Sequence, residues 1–127
     1  MAEVMVAVVD GPYTFDAHTV LGVIREAWPE AVWTPTPVGM VDPSLGQAVI
    51  GGDDGDPPLV VDLLAGGEAI SMDGGVERIA ELVSRLTAIP DFPDDGSVVL
   101  TDWSEDLYPL APSMSRETVR MAATDVE

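Results

Sequence analysis

The sequence predicts an α+β fold: one mostly antiparallel sheet of about five to seven strands, with two main helices on one face and a short C-terminal helix. Two observations predict it. The elements read β-α-β-β-β-β-α-β-β-α, so strands come in runs and do not alternate singly with helices. Between the runs lie two segments with apolar residues at helical spacing, each ended by a proline. The handedness of crossover connections would place both helices on the same side. No repeat or linker divides the chain, so residues 1–127 read as a single domain.

Residues 4–9 are apolar and valine-rich and stop at Asp10-Gly11-Pro12, which reads as a strand and its turn. Thr14 or Asp16 can cap the helix that follows, whose stripe is Val20, Ile24, Ala27 and Trp28, flanked by Ala17 and Leu21. Pro29 ends it, because the residue before a proline is pushed out of the α region. Residues 31–38 alternate but hold two prolines, which fits an edge strand. A loop over 39–46 leads to strands at 47–50, 59–64 and 69–72, an antiparallel meander with an acidic turn and Gly66-Gly67 between them.

The clearest helix is VERIAELVSRLTAIP. Val76, Ile79, Ala80, Val83 and Leu86 form its stripe, Asp73 is the expected N-cap, and Pro90 ends it. Glu81 precedes Arg85 by four, the favoured order for a surface pair. A loop over 91–96, a strand at 97–101, a short strand at 107–110 and a helix over 116–123 capped by Ser113 or Ser115 complete the chain, with the last residues frayed.

Charge narrows the function. The chain has 23 acidic residues against five basic ones, a net charge of −18. All five are arginines: Arg25, Arg78, Arg85, Arg116 and Arg120. Nucleic acid as a direct ligand is disfavoured, since phosphates need a cationic surface, and an anionic membrane is disfavoured for the same reason. A basic protein partner is favoured, with association that weakens in salt. Solvation in a salty or high-GC organism is the competing explanation of the charge. The chain has no cysteine, which excludes disulfides, zinc-thiolate sites and thiol nucleophiles. The start, MAEVMVAVVDGPY, lacks a basic leader and reads as a strand, so a cytoplasmic protein is expected.

No catalytic motif stands out, and no enzyme activity, cofactor or metal is expected. Asp53-Asp54-Gly55-Asp56 resembles a calcium loop only at first glance, because the position that needs a bidentate Glu falls on Leu64 or Ala65. It reads as a hairpin tip whose carboxylates stay in water. His18 is the only histidine and has no nucleophile at an interpretable spacing. Carboxylate pairs for glycoside chemistry cannot be singled out among so many acids. SMDGGVERIAE lacks the third glycine of a dinucleotide fingerprint and the lysine of a P-loop.

TDWSEDLYPL sets Trp103 and Tyr108 among Asp102, Glu105 and Asp106, a composition suited to a Lys- or Arg-bearing surface. The competing role for both aromatics is to close the core at a sheet end, and Trp33 has the same two readings. The expected partner-binding residues are Asp53, Asp54, Asp56, Asp102, Trp103, Glu105, Asp106 and Tyr108.

The segments "AWPEA", "ISMDGGVERIAELVSRL…IP" and "VVLTDWS…YPLAPSMSRETV" resemble small acidic proteins of high-GC Gram-positive bacteria, some of them similar to immunity proteins encoded beside polymorphic toxins. The resemblance implies a protein that blocks the active site of a basic toxin domain. Two other classes suit the same charge: a nucleic-acid mimic or phage-encoded inhibitor of a host DNA-binding protein, and a structural or assembly protein with a halophilic surface.

Overall fold

A computed structural model describes residues 2–35, 44–51, 58–64, 67–101 and 107–125. The elements in chain order are β1 (Ala2–Val8), α1 (Ala17–Ala27), β2 (Val32–Pro35), β3 (Ser44–Ile50), β4 (Leu59–Leu64), β5 (Ala69–Gly74), α2 (Val76–Thr87), β6 (Val98–Thr101), β7 (Leu107–Pro109) and α3 (Arg116–Asp125). The fold is α+β. Among the described residues, seven strands form one sheet in the order β2-β3-β4-β5-β1-β6-β7, and every neighbouring pair is antiparallel.

The meander β2 to β5 follows chain order. The first strand then inserts between β5 and β6, so the N-terminal segment lies inside the sheet, paired on both sides. Its sequence suits that place. Val4 and Val6 are fully buried on one side, and Ala7 is buried on the other. Both edges are blunted: β2 ends at Pro35 and β7 at Pro109, residues that cannot donate to a further strand.

Strand alternation divides the apolar residues. Val4 and Val6, Ala48 and Ile50, Leu59, Val61 and Leu63, Ile70 and Met72, and Val98 and Leu100 join one main core. Val20 and Ile24 of α1, Ile79, Ala80, Leu82, Val83 and Leu86 of α2, and Val119 and Ala122 of α3 belong to the same core. The opposite parity supplies a small second cluster, Ala7, Ala69 and Val99, with Met5 and Leu64 against it. Among the described residues, every member of this cluster comes from a strand.

Local chemistry sets the helix ends. Asp16 caps α1, accepting from the Thr19 backbone N–H at 3.0 Å and from its hydroxyl at 2.9 Å. The expected cap of α2, Asp73, is corrected by the structure. β5 runs on to Gly74, which commits Asp73 to a strand position, and Gly75 takes the cap position without a side-chain bond. β3 likewise begins at Ser44, earlier than its composition suggests, because it has β2 and β4 to pair with on either side. Gly46 allows this: a Cβ there would stand 2.5 Å from the Trp33 ring, which packs against the main core.

A polar latch fixes the segment before α3. Thr87, 1% exposed, donates its hydroxyl to the Ser84 carbonyl at 2.8 Å and accepts from the Met114 backbone N–H at 3.0 Å. The Thr87 carbonyl accepts from the Ser113 N–H at 2.8 Å, and the Ser84 hydroxyl donates to the Met114 carbonyl at 2.8 Å. Ser115 then caps α3, accepting from the Thr118 N–H at 3.2 Å.

Two substitutions test this account. Thr87→Val keeps the shape but leaves the Met114 N–H without its acceptor, and is expected to cost about 1–3 kcal/mol in urea unfolding. Gly67 has φ of +69°, and a Cβ there would collide with the Phe15 carbonyl. Gly67→Ala is therefore expected to cost at least about 1–3 kcal/mol, and an unchanged midpoint would contradict the assigned turn.

Candidate functional site

The two ends of the sheet differ in chemistry. Ala2 of β1 pairs with Gly74 of β5, and Ile50 of β3 pairs with Leu59 of β4. With Val60 opposite Asp73 in the β4–β5 pair, these residues mark one end of the sheet, here the near end. β6 runs toward the same end, finishing at Thr101 opposite Met5, and β7 starts from it at Leu107. The far end carries Val8, Leu64, Ala69 and Val98.

Seven of the eight expected binding residues, Asp53, Asp54, Asp56, Asp102, Trp103, Glu105 and Asp106, lie outside the described residues. Their attachment points do not. Gly51 and Pro58 flank the first acidic segment, and Thr101 and Leu107 flank the second. Both pairs of attachment points therefore belong to the near end. β4 and β6 are separated by β5 and β1, three strand spacings or about 14 Å. Arg78 of α2 donates to the Gly51 carbonyl at 2.6 Å and ties the residue after β3 to the helix.

Tyr108 is described. It sits on edge strand β7 opposite Leu100, half-buried, and packs against the main core. Its neighbours Leu107 and Pro109 are exposed.

The near end has carboxylates that sequence reading did not single out. Glu3 and Asp73 stand directly opposite each other on β1 and β5. Asp62 lies one diagonal step away on β4 and accepts from Gln47 Nε2 at 3.3 Å. The alternation in EVMVAV places Glu3 away from the core, but its adjacency to Asp73 depends on strand order, which no local pattern encodes.

The arginines lie elsewhere: all five are on helices. Arg78 is held by Gly51. Arg85 pairs with Glu81 at 3.3 Å, and Arg120 pairs with Glu117 at 2.6 Å and reaches Glu77 at 3.8 Å. No strand carries a basic side chain, so the carboxylates of the sheet have no cation on neighbouring strands.

At the far end, Tyr13 packs edge-on against Phe15 and Phe92, with ring centroids 5.3 and 6.0 Å away. Two shallow clefts of about 320 and 210 Å³ meet at Tyr13 and Thr14, rimmed by Asp10, Glu68, Asp16 and Asp91. Burial, then the Asp91 carboxylate, holds the Tyr13 hydroxyl above the ordinary phenol range. His18 is exposed on α1, and the neighbouring Asp16 accepts from the Thr19 backbone N–H and hydroxyl. Among the described residues no group of three or more His, Asp or Glu side chains could hold a metal ion. No described helix is long and apolar enough to cross a membrane. No protein family, curated protein or solved structure matches the chain.

The Asp16 cap has a pH consequence. The Thr19 backbone N–H, then its hydroxyl, holds the Asp16 carboxyl below its ordinary value of 3.8. A depressed carboxyl stabilises the fold above its unfolded value and loses that contribution as pH falls through the folded one. Asp16→Ala is therefore expected to be less stable than the parent near neutral pH, with the gap closing below pH 3.8. Urea midpoints across that range check it; a constant gap would assign the effect to something other than the carboxylate.

Proposed function

We propose that this chain is a non-enzymatic acidic binding protein that captures a basic protein partner, most concretely an immunity protein that covers the active site of a toxin domain in the cytoplasm. One observation carries the proposal: strand order brings the attachment points of both acidic segments to the sheet end where Glu3 and Asp73 stand. In this reading Asp53, Asp54, Asp56, Asp102, Glu105 and Asp106 are the carboxylates that meet the partner, together with those that begin on the strands. Trp103 adds apolar area to that contact, and Tyr108 supports it from β7.

Within this proposal the helices cover one face of the sheet and leave the other open. The membership of Val20, Ile24, Val83, Leu86 and Val119 in a single core with alternate strand residues supports that arrangement. Carboxylates that sit where a substrate's phosphates would lie compete directly for a cationic active site, and the field of 18 surplus negative charges speeds encounter.

The experiment is calorimetry of the full chain against the basic domain encoded beside it, from about 50 to about 500 mM salt. Affinity is expected to fall at least about tenfold over that range, and Asp53→Asn/Asp54→Asn/Asp56→Asn is expected to flatten the dependence. Binding that ignores salt would contradict the electrostatic mechanism, and no binding at low salt would contradict the proposal.

A further inference from the structure

Alternate residues of the strands point away from the main core, and their register forms rows. The row nearest the near end is Val32, Val49, Val60, Asp73 and Glu3, side by side across β2, β3, β4, β5 and β1. It reads from three valines into two carboxylates. Val32 is 61% exposed, and Val49 and Val60 are half-buried, although their chain neighbours Ala48, Ile50, Leu59 and Val61 are fully enclosed. Among the described residues, the apolar cluster on this side of the sheet, Ala7, Ala69 and Val99 with Met5 and Leu64, draws only on strands.

Like charges directly opposite on neighbouring strands destabilise a sheet. Glu3 and Asp73 are such a pair, and among the described residues neither is in an ion pair. Asp62 adds a third carboxylate on the same face. With every arginine on a helix, the fold itself supplies no strand cation to relieve them.

We propose that this face of the sheet is a docking surface for a basic protein segment that presents an apolar strip flanked by Lys or Arg. The inference rests on the reading of a cationic partner and adds the surface that receives it. The apolar strip would cover Val32, Val49 and Val60, and the flanking cations would lie against Asp73, Glu3 and Asp62. Charge complementarity selects this occupant over a second copy of the chain. A second copy would bring the same carboxylates together between two molecules that each carry −18. Pro35 and Pro109 also remove a donor from each edge strand, which disfavours pairing there.

The probe is a synthetic amphipathic helix of leucine and lysine, titrated into the full chain while valine and Met5 methyl resonances are followed. Shifts are expected at Val32, Val49, Val60 and Met5, and not at Val9 or Val23. Glu3→Gln/Asp73→Asn is expected to weaken binding at least about fivefold while leaving the free protein as stable or more so. Glu68→Gln/Asp94→Asn removes the same charge at the far end and is expected to cost less than about twofold. Val60→Lys, with its fold checked by urea unfolding, is expected to abolish the methyl shifts. Equal losses for the two double variants, or shifts centred on the far end, would overturn the docking surface and leave the cationic partner standing. No binding of the peptide at low salt would overturn both.

Discussion

The two-residue period of the β-strand is the constraint on which the rest of this structure depends. Because β1 is paired on both sides, each of its side chains must serve one face of the sheet or the other. Val4 and Val6 go to the main core, and Glu3, Met5 and Ala7 go to the opposite side. The same parity in β3, β4 and β5 sets Ala48, Ile50, Leu59, Val61, Ile70 and Met72 against Val49, Val60, Asp62, Ser71 and Asp73. A register slip of one residue would bury Glu3 and Asp73 and expose the core, so the register and the charge layout are one specification.

Charge follows the same division. The helices carry all the arginines and settle several of them internally, through Glu81, Glu117 and the Gly51 carbonyl. These bonds are mostly surface contacts of small individual worth. Their larger effect is on where the positive charge sits: it stays on the helices. The strands are left with carboxylates beside valines, a combination that costs the free protein some repulsion and suits a partner of opposite chemistry.

Much of this was legible in the residues. The α+β class, the meander and both long helices follow from apolar spacing and from the prolines at 29 and 90. The helix cap at Asp73 was not, because a strand end and a helix start compete for the same residues, and the pairing of β5 with β1 decides in favour of the strand. The place of β1 between β5 and β6 is a long-range fact that no local pattern carries, and with it go the Glu3–Asp73 pairing and the shared sheet end of Gly51, Pro58, Thr101 and Leu107. For Tyr108 the residues leave two roles open, partner contact and closure of the core at a sheet end, and its position opposite Leu100 ties it to the core.

Hydrogen exchange on the complex with a basic partner tests the central claim most directly. New protection is expected along β3 and β4 and at the start of β1, with residues 10–16 and 89–97 unchanged. Protection centred on those far-end loops, or spread evenly over the surface, would contradict it.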